Sequence, residues 1–335
     1  MKILVADPLS EKGHLNFNSN FIKWFDGNYS IAIDYYFSDS MLHAMELNGE
    51  TFPDLYLKKD NPFKYKINQI KILNDIYNYA VRNKYDKLLI LSYELYSTSV
   101  FFNMKNILAN NNIEIYLIEH NTIPTSFFKD FFYKLIPKKN ITHIGLMPYI
   151  SEYIYNKYNK KSIYIPHPIR KITEKCSKKS DGVISVFMPS YVEESLKAQI
   201  CKSFQELGDK FLLKTKGDLG RTGNIIKQEY FDNYDSELLK ADAIFIPQKF
   251  EYRVSGVLYE ALQTDAKIFM SNCLFAQCLR KQFHNKIVLV NDWVGFIKNN
   301  LIDEINNKDR GIKTDRELFN ASGKELVHKD LLCLK

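Results

Sequence analysis

Short runs of apolar residues alternate along the chain with longer segments that repeat apolar residues every three or four positions. Runs such as residues 2–6 (KILVA) and 243–247 (AIFIP) are typical of strands buried on both faces of a parallel sheet. The segment of residues 62–82 has apolar residues at helical spacing, which predicts an amphipathic helix. Because strands and helices alternate, the pattern predicts an α/β protein with parallel sheets covered by helices on both faces.

The same pattern predicts eleven strands across the chain. They are residues 2–6, 30–37, 88–91, 113–118, 144–147, 163–165, 183–188, 211–214, 243–247, 267–270 and 286–290. Predicted helices lie between them, at residues 15–25, 39–47, 62–82, 96–109, 150–158, 192–207 and 236–240, and from about residues 255 and 291. Residues 214–223 (KTKGDLGRTG) are predicted to be a glycine-rich loop.

One polar stretch interrupts this alternation. Residues 170–181 (RKITEKCSKKSD) are basic and have no period, which indicates an interdomain linker. We therefore predict an N-terminal Rossmann-like domain at residues 1–169 and a C-terminal one at 182–335, facing a central cleft. The last, weakly helical stretch is expected to pack back on the N-terminal domain. Ligands in such folds bind beyond the carboxyl ends of the strands.

Composition narrows the function classes only a little. The chain has 335 residues, of which 45% are hydrophobic and 25% charged, which is an ordinary globular balance. A net charge of +7 would suit nucleic acid, an anionic bilayer or a phosphorylated substrate. No strongly clustered basic stripe is present, so we expect no nucleic-acid partner.

Several site types are absent from the sequence. No GxGxxG follows the first strand, and neither a P-loop nor a GxSxG elbow is present. The five cysteines are scattered and are expected to be free thiols, and no metal site or cofactor is predicted. No apolar run approaches the ~18 residues of a membrane span, and no signal peptide is recognised, so a cytoplasmic location is expected.

The most informative stretch is residues 247–262 (PQKFEYRVSGVLYEAL), which follows a predicted strand and enters a helix at Ser255. The first N–H groups of a helix favour a phosphate, and Gly256 would let a ligand approach the backbone. Glu260, one turn further on, could accept hydrogen bonds from sugar hydroxyls. The alternative interpretation is a capped helix with a surface glutamate.

Other polar residues follow predicted strands. Arg253 has the planar fork that suits a diphosphate, and Lys197 could reach the same anion. His120 ends the strand of residues 113–118, where a neutral imidazole could donate to a sugar hydroxyl. Gly13 and His14 lie in the loop after the first strand. For each, a surface or structural side chain is the competing interpretation.

The segment from Phe127 to Lys139 (FFKDFFYKLIPKK) combines aromatic residues with lysines. This composition suits a helix that lies on an anionic membrane surface, which would be the inner face of the membrane. The competing interpretation is a helix that packs in the core and has lysines at its ends.

These residues resemble a known family. ADAIFIP followed by YRVSGVLYEAL, over residues 241–262, is similar to GT-B glycosyltransferases, especially the group-one (family four) bacterial enzymes. The resemblance implies that Ser255, Gly256 and Val257 hold the diphosphate of a nucleotide sugar and that Glu260 holds its ribose. It also implies catalytic positions near the donor sugar for Glu251 and His120.

Two features depart from the family pattern. Eight residues separate Glu251 from Glu260, where the family has seven, so Tyr259 occupies the expected position. Lys197 lacks the arginine that usually accompanies it.

The resemblance implies a glycosyltransferase that moves a sugar from a nucleotide sugar to a glycan or lipid-linked saccharide in surface polysaccharide synthesis. Retention of configuration and independence of metal are also expected, with Gly13 and His14 on the acceptor side. Two alternatives stay open, a nucleotide-sugar epimerase of the same fold and a non-catalytic partner subunit.

Overall fold

The computed structural model describes residues 1–26, 31–104, 113–173, 182–307, 311 and 313–333. The chain forms two compact units. The first comprises Met1–Pro168 and Asn320–Lys335, and the second comprises Ile169–Phe319. Residues 174–181 of the predicted linker, with Cys176, lie outside the described residues.

The first unit contains a parallel sheet of seven strands in the order β3-β2-β1-β4-β5-β6-β7. Its strands are β1 (Lys2–Ala6), β2 (Ala32–Ser38), β3 (Glu50–Phe52), β4 (Lys87–Ile90), β5 (Glu114–Glu119), β6 (Ile141–Gly145) and β7 (Ser162–Tyr164). Its helices are α1 (Leu15–Phe21), α2 (Asp39–Ala44), α3 (Pro62–Arg82), α4 (Leu95–Met104), α5 (Phe127–Leu135) and α6 (Pro148–Tyr158).

Local sequence explains the longest helix of the first unit. The Asn61 side chain accepts hydrogen bonds from the N–H groups of Phe63 and Lys64 and so caps α3, with Pro62 in the first turn. One side of the helix is buried, where Ile72 and Ile76 are fully buried, whereas Phe63 in the first turn is 74% exposed. Both ends of α3 agree with the prediction.

The second unit also has a seven-stranded sheet, in the order β10-β11-β9-β8-β12-β13-β14. Its strands are β8 (Ile184–Met188), β9 (Phe211–Lys216), β10 (Gly220–Thr222), β11 (Ile225–Gln228), β12 (Ala243–Ile246), β13 (Lys267–Ser271) and β14 (Ile287–Val290). Its helices are α7 (Glu194–Leu207), α8 (Tyr234–Lys240), α9 (Gly256–Ala261), α10 (Leu274–Gln282), α11 (Trp293–Asn299) and α12 (Leu301–Asn306).

A final helix, α13 (Arg316–Leu326), runs in sequence from the second unit into the first, and a π-helical turn at Val327–Leu331 follows it. Within the first unit, a Cβ added to Gly323 would lie 2.5 Å from the Trp24 ring. His328 Nε2 is 2.9 Å from the Trp24 carbonyl oxygen. The C-terminal residues are therefore part of the first unit's core.

The α/β class and the two Rossmann-like sheets are confirmed. The prediction of a loop at residues 214–223 is wrong, because β9 extends to Lys216 and β10 forms an antiparallel hairpin with β11. Gly223 makes the turn with a φ of 58°, and the Asn224 side chain anchors it by donating to the carbonyls of Phe204 and Gly208. No described helix is long and apolar enough to cross a membrane.

Candidate functional site

A cleft of about 380 Å³ lies in the first unit, beside the carboxyl ends of β1, β4 and β5. This volume is within the ~300–1,000 Å³ usual for ligand pockets. Its lining combines charged, aromatic and imidazole side chains. The lining residues are Leu9, Glu11, His14, Lys59, Tyr65, Ser92, Tyr93, Glu94, Leu95, Tyr96, Ile118, His120, Asn121, Thr122 and Lys129.

His14 lies beside a buried aspartate, Asp7, that follows β1. Its Nδ1 lies 3.8 Å from Oδ2 of Asp7, which is an ion-pair distance. Burial disfavours a charged imidazole, but the negative charge of Asp7 outweighs it and raises the pKa of His14. Burial would likewise raise the pKa of Asp7, yet His14, Ser92 and Asn18 together lower it. The pair thus favours a carboxylate beside a readily protonated imidazole.

His120 stacks on His14, with ring centroids 4.8 Å apart, and meets the Phe17 ring edge-on at 4.4 Å. Burial, reinforced by the imidazoles of His14 and His167, lowers the pKa of His120 well below its usual value. It is therefore neutral at pH 7. Its Nε2 is buried and has no hydrogen-bond partner among the described residues. The structure thus brings together two of the three predicted first-unit residues, whereas Gly13 does not line the cleft.

A buried carboxylate at the end of β5 lies in a candidate segment, residues 119–121, but no role is predicted for it from the sequence. Glu119, the residue before His120, is fully buried. It accepts hydrogen bonds from Tyr93 at 2.8 Å and Tyr133 at 3.1 Å, and His143 Nδ1 lies 2.5 Å from its Oε1. Burial, followed by the charge of Glu119, raises the pKa of both tyrosines well above normal. The sequence contained a signal for these contacts, because an acidic residue that is buried at the end of an apolar run needs polar partners.

In the second unit, β12 ends before Pro247 and the chain enters α9 through Ser255. Ser255 is buried, and its hydroxyl accepts from the N–H of Leu258 at 3.4 Å. Helix α9 has only six residues. Gly256 and Val257 are partly exposed at its start. The predicted cap is present, and it uses one of the N–H groups at that end of the helix.

Glu260 is not a free surface glutamate. Its Oε1 lies 2.5 Å from Nε of Arg170, and its Oε2 accepts from the Tyr234 hydroxyl at 2.7 Å. Arg170 also binds Asp235 with both terminal nitrogens, one of them at 2.9 Å. Burial disfavours the guanidinium charge, but Asp235 and Glu260 raise the pKa of Arg170. A ligand at Glu260 would therefore meet a carboxylate with a fixed orientation.

The remaining predicted residues of the second unit, Arg253, Glu251 and Lys197, have different surroundings. The Arg253 guanidinium lies 5.0 Å from the centroid of the Phe250 ring, and burial lowers its pKa. Glu251 is exposed in the same loop. Lys197, on α7, binds Glu194 at 2.5 Å, and its Nζ would lie 3.5 Å from a Cβ added to Gly217. Ser255, Gly256 and Val257 lie at the start of α9 and Glu260 lies near its end, whereas Lys197 belongs to another element.

In the described part of the chain, no group of three or more histidine, cysteine, aspartate or glutamate side chains could hold a metal ion. The cysteines at 201, 273, 278 and 333 are free thiols.

Comparison with known proteins gives matches in structure and not in sequence. No protein-family model matches the chain, and no curated protein sequence matches it. HepE of Anabaena, in complex with UDP and glucose, has a TM-score of 0.70 at 10% identity over 100% of both chains. A putative UDP-N-acetylglucosamine 2-epimerase of Listeria monocytogenes has a TM-score of 0.66 at 9% identity, covering 100% of this chain and 97% of that one. A glycosyltransferase of Rickettsia africae has a TM-score of 0.63 at 12% identity, covering 98% and 93%.

Identities this low show the fold alone. The chain has the GT-B fold, and the similar structures are enzymes that include both glycosyltransferases and 2-epimerases.

Proposed function

We propose that this protein is a cytoplasmic glycosyltransferase that moves a sugar from a nucleotide sugar, with UDP as the nucleotide, to a glycan or lipid-linked saccharide in bacterial surface polysaccharide synthesis. The observation that carries this proposal is the cleft in the first unit, which has its own polar and aromatic lining and two imidazoles in contact. An acceptor saccharide needs a site of this kind. The proposed donor site is in the second unit.

The donor site begins at Ser255, Gly256 and Val257, which we assign to the diphosphate. Gly256 and Val257 are partly exposed at the start of α9, and the backbone N–H groups at a helix start favour negative charge. Glu260 would receive the ribose hydroxyls with its remaining lone pairs, since Arg170 and Tyr234 already orient its carboxylate. That pre-orientation supports the assignment, because a fixed acceptor loses less entropy when it binds.

The leaving diphosphate needs positive charge. We assign this role to Arg253 and Lys197, which would neutralise it without a metal ion; each well-placed donor is worth roughly a few kcal/mol in such sites. Lys197 now pairs with Glu194, a partly solvated contact that an incoming diphosphate would compete for. Family likeness supports a reaction with retention of configuration, and Glu251 as a contact of the donor sugar.

In the first unit, His120 is the proposed catalytic residue, near the donor sugar, and Gly13 and His14 are assigned to the acceptor side. Because its imidazole is neutral, it could donate a hydrogen bond to a sugar hydroxyl without carrying charge into the site. His14, supported by Asp7, would carry the proton that the acceptor hydroxyl loses. Gly13 lies in the same loop and is assigned to the acceptor side through its backbone.

A second candidate is a nucleotide-sugar 2-epimerase. It is favoured by the structures of epimerases from Listeria monocytogenes and Neisseria meningitidis, with TM-scores of 0.66 and 0.64. Epimerisation removes a proton from one face of a sugar carbon and returns one to the other face, so it needs no acceptor.

The two candidates differ in what happens to a nucleotide sugar alone. UDP-glucose and UDP-N-acetylglucosamine are each incubated with the protein in D2O, with and without a panel of saccharide acceptors, and products are analysed by NMR. Glycosyl transfer predicts UDP release that depends on an acceptor, with no isomerised sugar. An isomer carrying deuterium at the inverted carbon, formed without acceptor, would replace the proposal by epimerisation.

A further inference from the structure

Helix α5 turns most of its apolar arc towards solvent. The side chains of Phe127, Phe128 and Phe131 are 88%, 64% and 52% exposed. At 100° per residue these three positions lie within one third of the helix circumference, whereas the fully buried Tyr133 lies on another side. The core-packing interpretation of this helix is therefore wrong for these three residues. Clustered exposed aromatic side chains mark an interaction surface.

The helix is fixed in this orientation by polar contacts to its neighbour α4. Ser99 Oγ donates to the Phe132 carbonyl at 2.8 Å, and Asn103 Nδ2 donates to the Leu135 carbonyl at 2.6 Å. Ser126 caps the start of the helix by accepting from the Lys129 N–H. The exposed phenylalanines thus stand on an anchored scaffold.

The segment that carries these side chains is also rich in lysine. Residues 127–139 contain four lysines and one aspartate. The aspartate, Asp130, is 2.6 Å from Lys134 and 2.9 Å from Lys157, so its charge is compensated locally. Lys138 and Lys139 follow the helix and are exposed. The surface is complementary to an anionic partner that also accepts aromatic side chains.

The same surface adjoins the cleft. Tyr96 and Lys129 line the cleft, and the Tyr96 ring packs against Phe132 at 4.9 Å and Phe128 at 6.1 Å. Lys66 Nζ lies over the Tyr96 ring at 4.4 Å. One edge of the cleft is therefore continuous with the exposed aromatic residues.

We propose that the α5 surface, defined by Phe127, Phe128, Phe131, Lys138 and Lys139, docks on an anionic lipid bilayer. The phenylalanine rings enter the boundary between head groups and acyl chains, and the lysines attract the lipid phosphates. The α5 surface lies on the membrane, and no described helix is long and apolar enough to cross it. The cleft then opens at the level of the head groups, where it would receive a lipid-carried acceptor; this last step alone rests on the proposed function.

Co-sedimentation with vesicles tests the proposal, using equal parts of phosphatidylglycerol and phosphatidylcholine at low salt and no nucleotide. We expect the intact protein to bind, and to bind far less to pure phosphatidylcholine or at high salt. The F127S/F131S variant should lose about tenfold or more in vesicle affinity, because two rings no longer leave water. The K138Q/K139Q variant should lose affinity mainly for the anionic vesicles.

Leu219→Ser provides the matched control, because Leu219 is 84% exposed and belongs to the second unit, whereas α5 belongs to the first. It should bind vesicles as the unchanged protein does. Thermal unfolding of F127S/F131S should be unchanged, because both side chains are already more than half exposed. UDP binding by this variant is measured in parallel, so that loss of docking and loss of nucleotide binding are distinguished.

The proposal is overturned if the intact protein ignores anionic vesicles at low salt, or if F127S/F131S binds them equally well. It is also overturned if light scattering shows that F127S/F131S converts a dimer into a monomer while neither form binds vesicles. The exposed rings would then belong to a protein interface.

Discussion

Arg170→Ala is expected to destabilise the second unit strongly, because this guanidinium holds two carboxylates. The side chains of Arg170, Asp235 and Glu260 are 15%, 12% and 14% exposed. Removing one partner of a buried ion pair costs ~3–5 kcal/mol, and the slight exposure of these groups favours the lower end, about 3 kcal/mol. For a unit of this size, that corresponds to a fall in melting temperature of roughly 6–12 °C.

The loss should depend on pH. Burial would raise the pKa of Asp235, but Arg170 lowers it. Such a carboxylate stabilises the fold above its unfolded pKa of about 3.9, and this contribution is lost as the pH falls through the lower folded value. The difference between Arg170→Ala and the unchanged protein should therefore be largest near pH 7 and shrink below about pH 4.

Thermal unfolding followed by circular dichroism from pH 7 to pH 3 measures this difference. Arg221→Ala is the control, because Arg221 is exposed and, among the described residues, donates a hydrogen bond to the Gly223 carbonyl. The loss of stability in the double variant R170A/E260A should be smaller than the sum of the losses in the two single variants. The reason is that the double variant no longer contains the Glu260 carboxylate that Arg170→Ala leaves uncompensated. A melting temperature within 1 °C of the unchanged protein, or a loss that is equal at all pH values, would refute the role of the ion-pair cluster.

Two further changes test the first unit. Gly323→Ala should cost about 1–3 kcal/mol of stability, because the added methyl group would lie 2.5 Å from the buried Trp24 ring. Ser322→Ala, at the neighbouring exposed position, is the control and should leave the stability unchanged. Equal melting temperatures for the two variants would contradict this packing. His120→Gln should reduce the loss of stability between pH 7 and pH 5. Below about pH 6.5 the unfolded chain binds a proton at His120, whereas the folded chain does not because its His120 pKa is depressed, so falling pH favours unfolding of the unchanged protein. Urea midpoints across this range measure it, and parallel curves for the two proteins would contradict it.

The sequence predicted the regular elements well where burial dictates the pattern. Strand β1 and helix α3 have the predicted bounds, because the apolar residues of β1 and most of those of α3 face the core, although Phe63 and Ile67 of α3 are exposed. Strand β3 was missed because Glu50 and Thr51 are exposed and carry no apolar signal. The hairpin of β10 and β11 was missed because its glycines and polar residues resemble a loop.

The candidate site was predictable only in part. His14 and His120 follow strands whose carboxyl ends meet at one sheet edge, so their proximity could be anticipated, but not their stacking. The partner of Glu260 could not be anticipated. Arg170 lies 90 residues earlier, in a stretch that reads as a basic linker, and no local pattern connects the two. Long-range pairing of this kind is decided by the tertiary fold.

The central claim, that the second unit binds a nucleotide sugar around Ser255 and Glu260, is tested most directly by calorimetric titration of the whole protein with UDP. The account predicts saturable binding at one site, abolished in Glu260→Ala and Arg253→Ala and retained in Arg221→Ala, with all three variants folded. Normal binding of UDP by both Glu260→Ala and Arg253→Ala, or no binding by the unchanged protein at millimolar UDP, would contradict it.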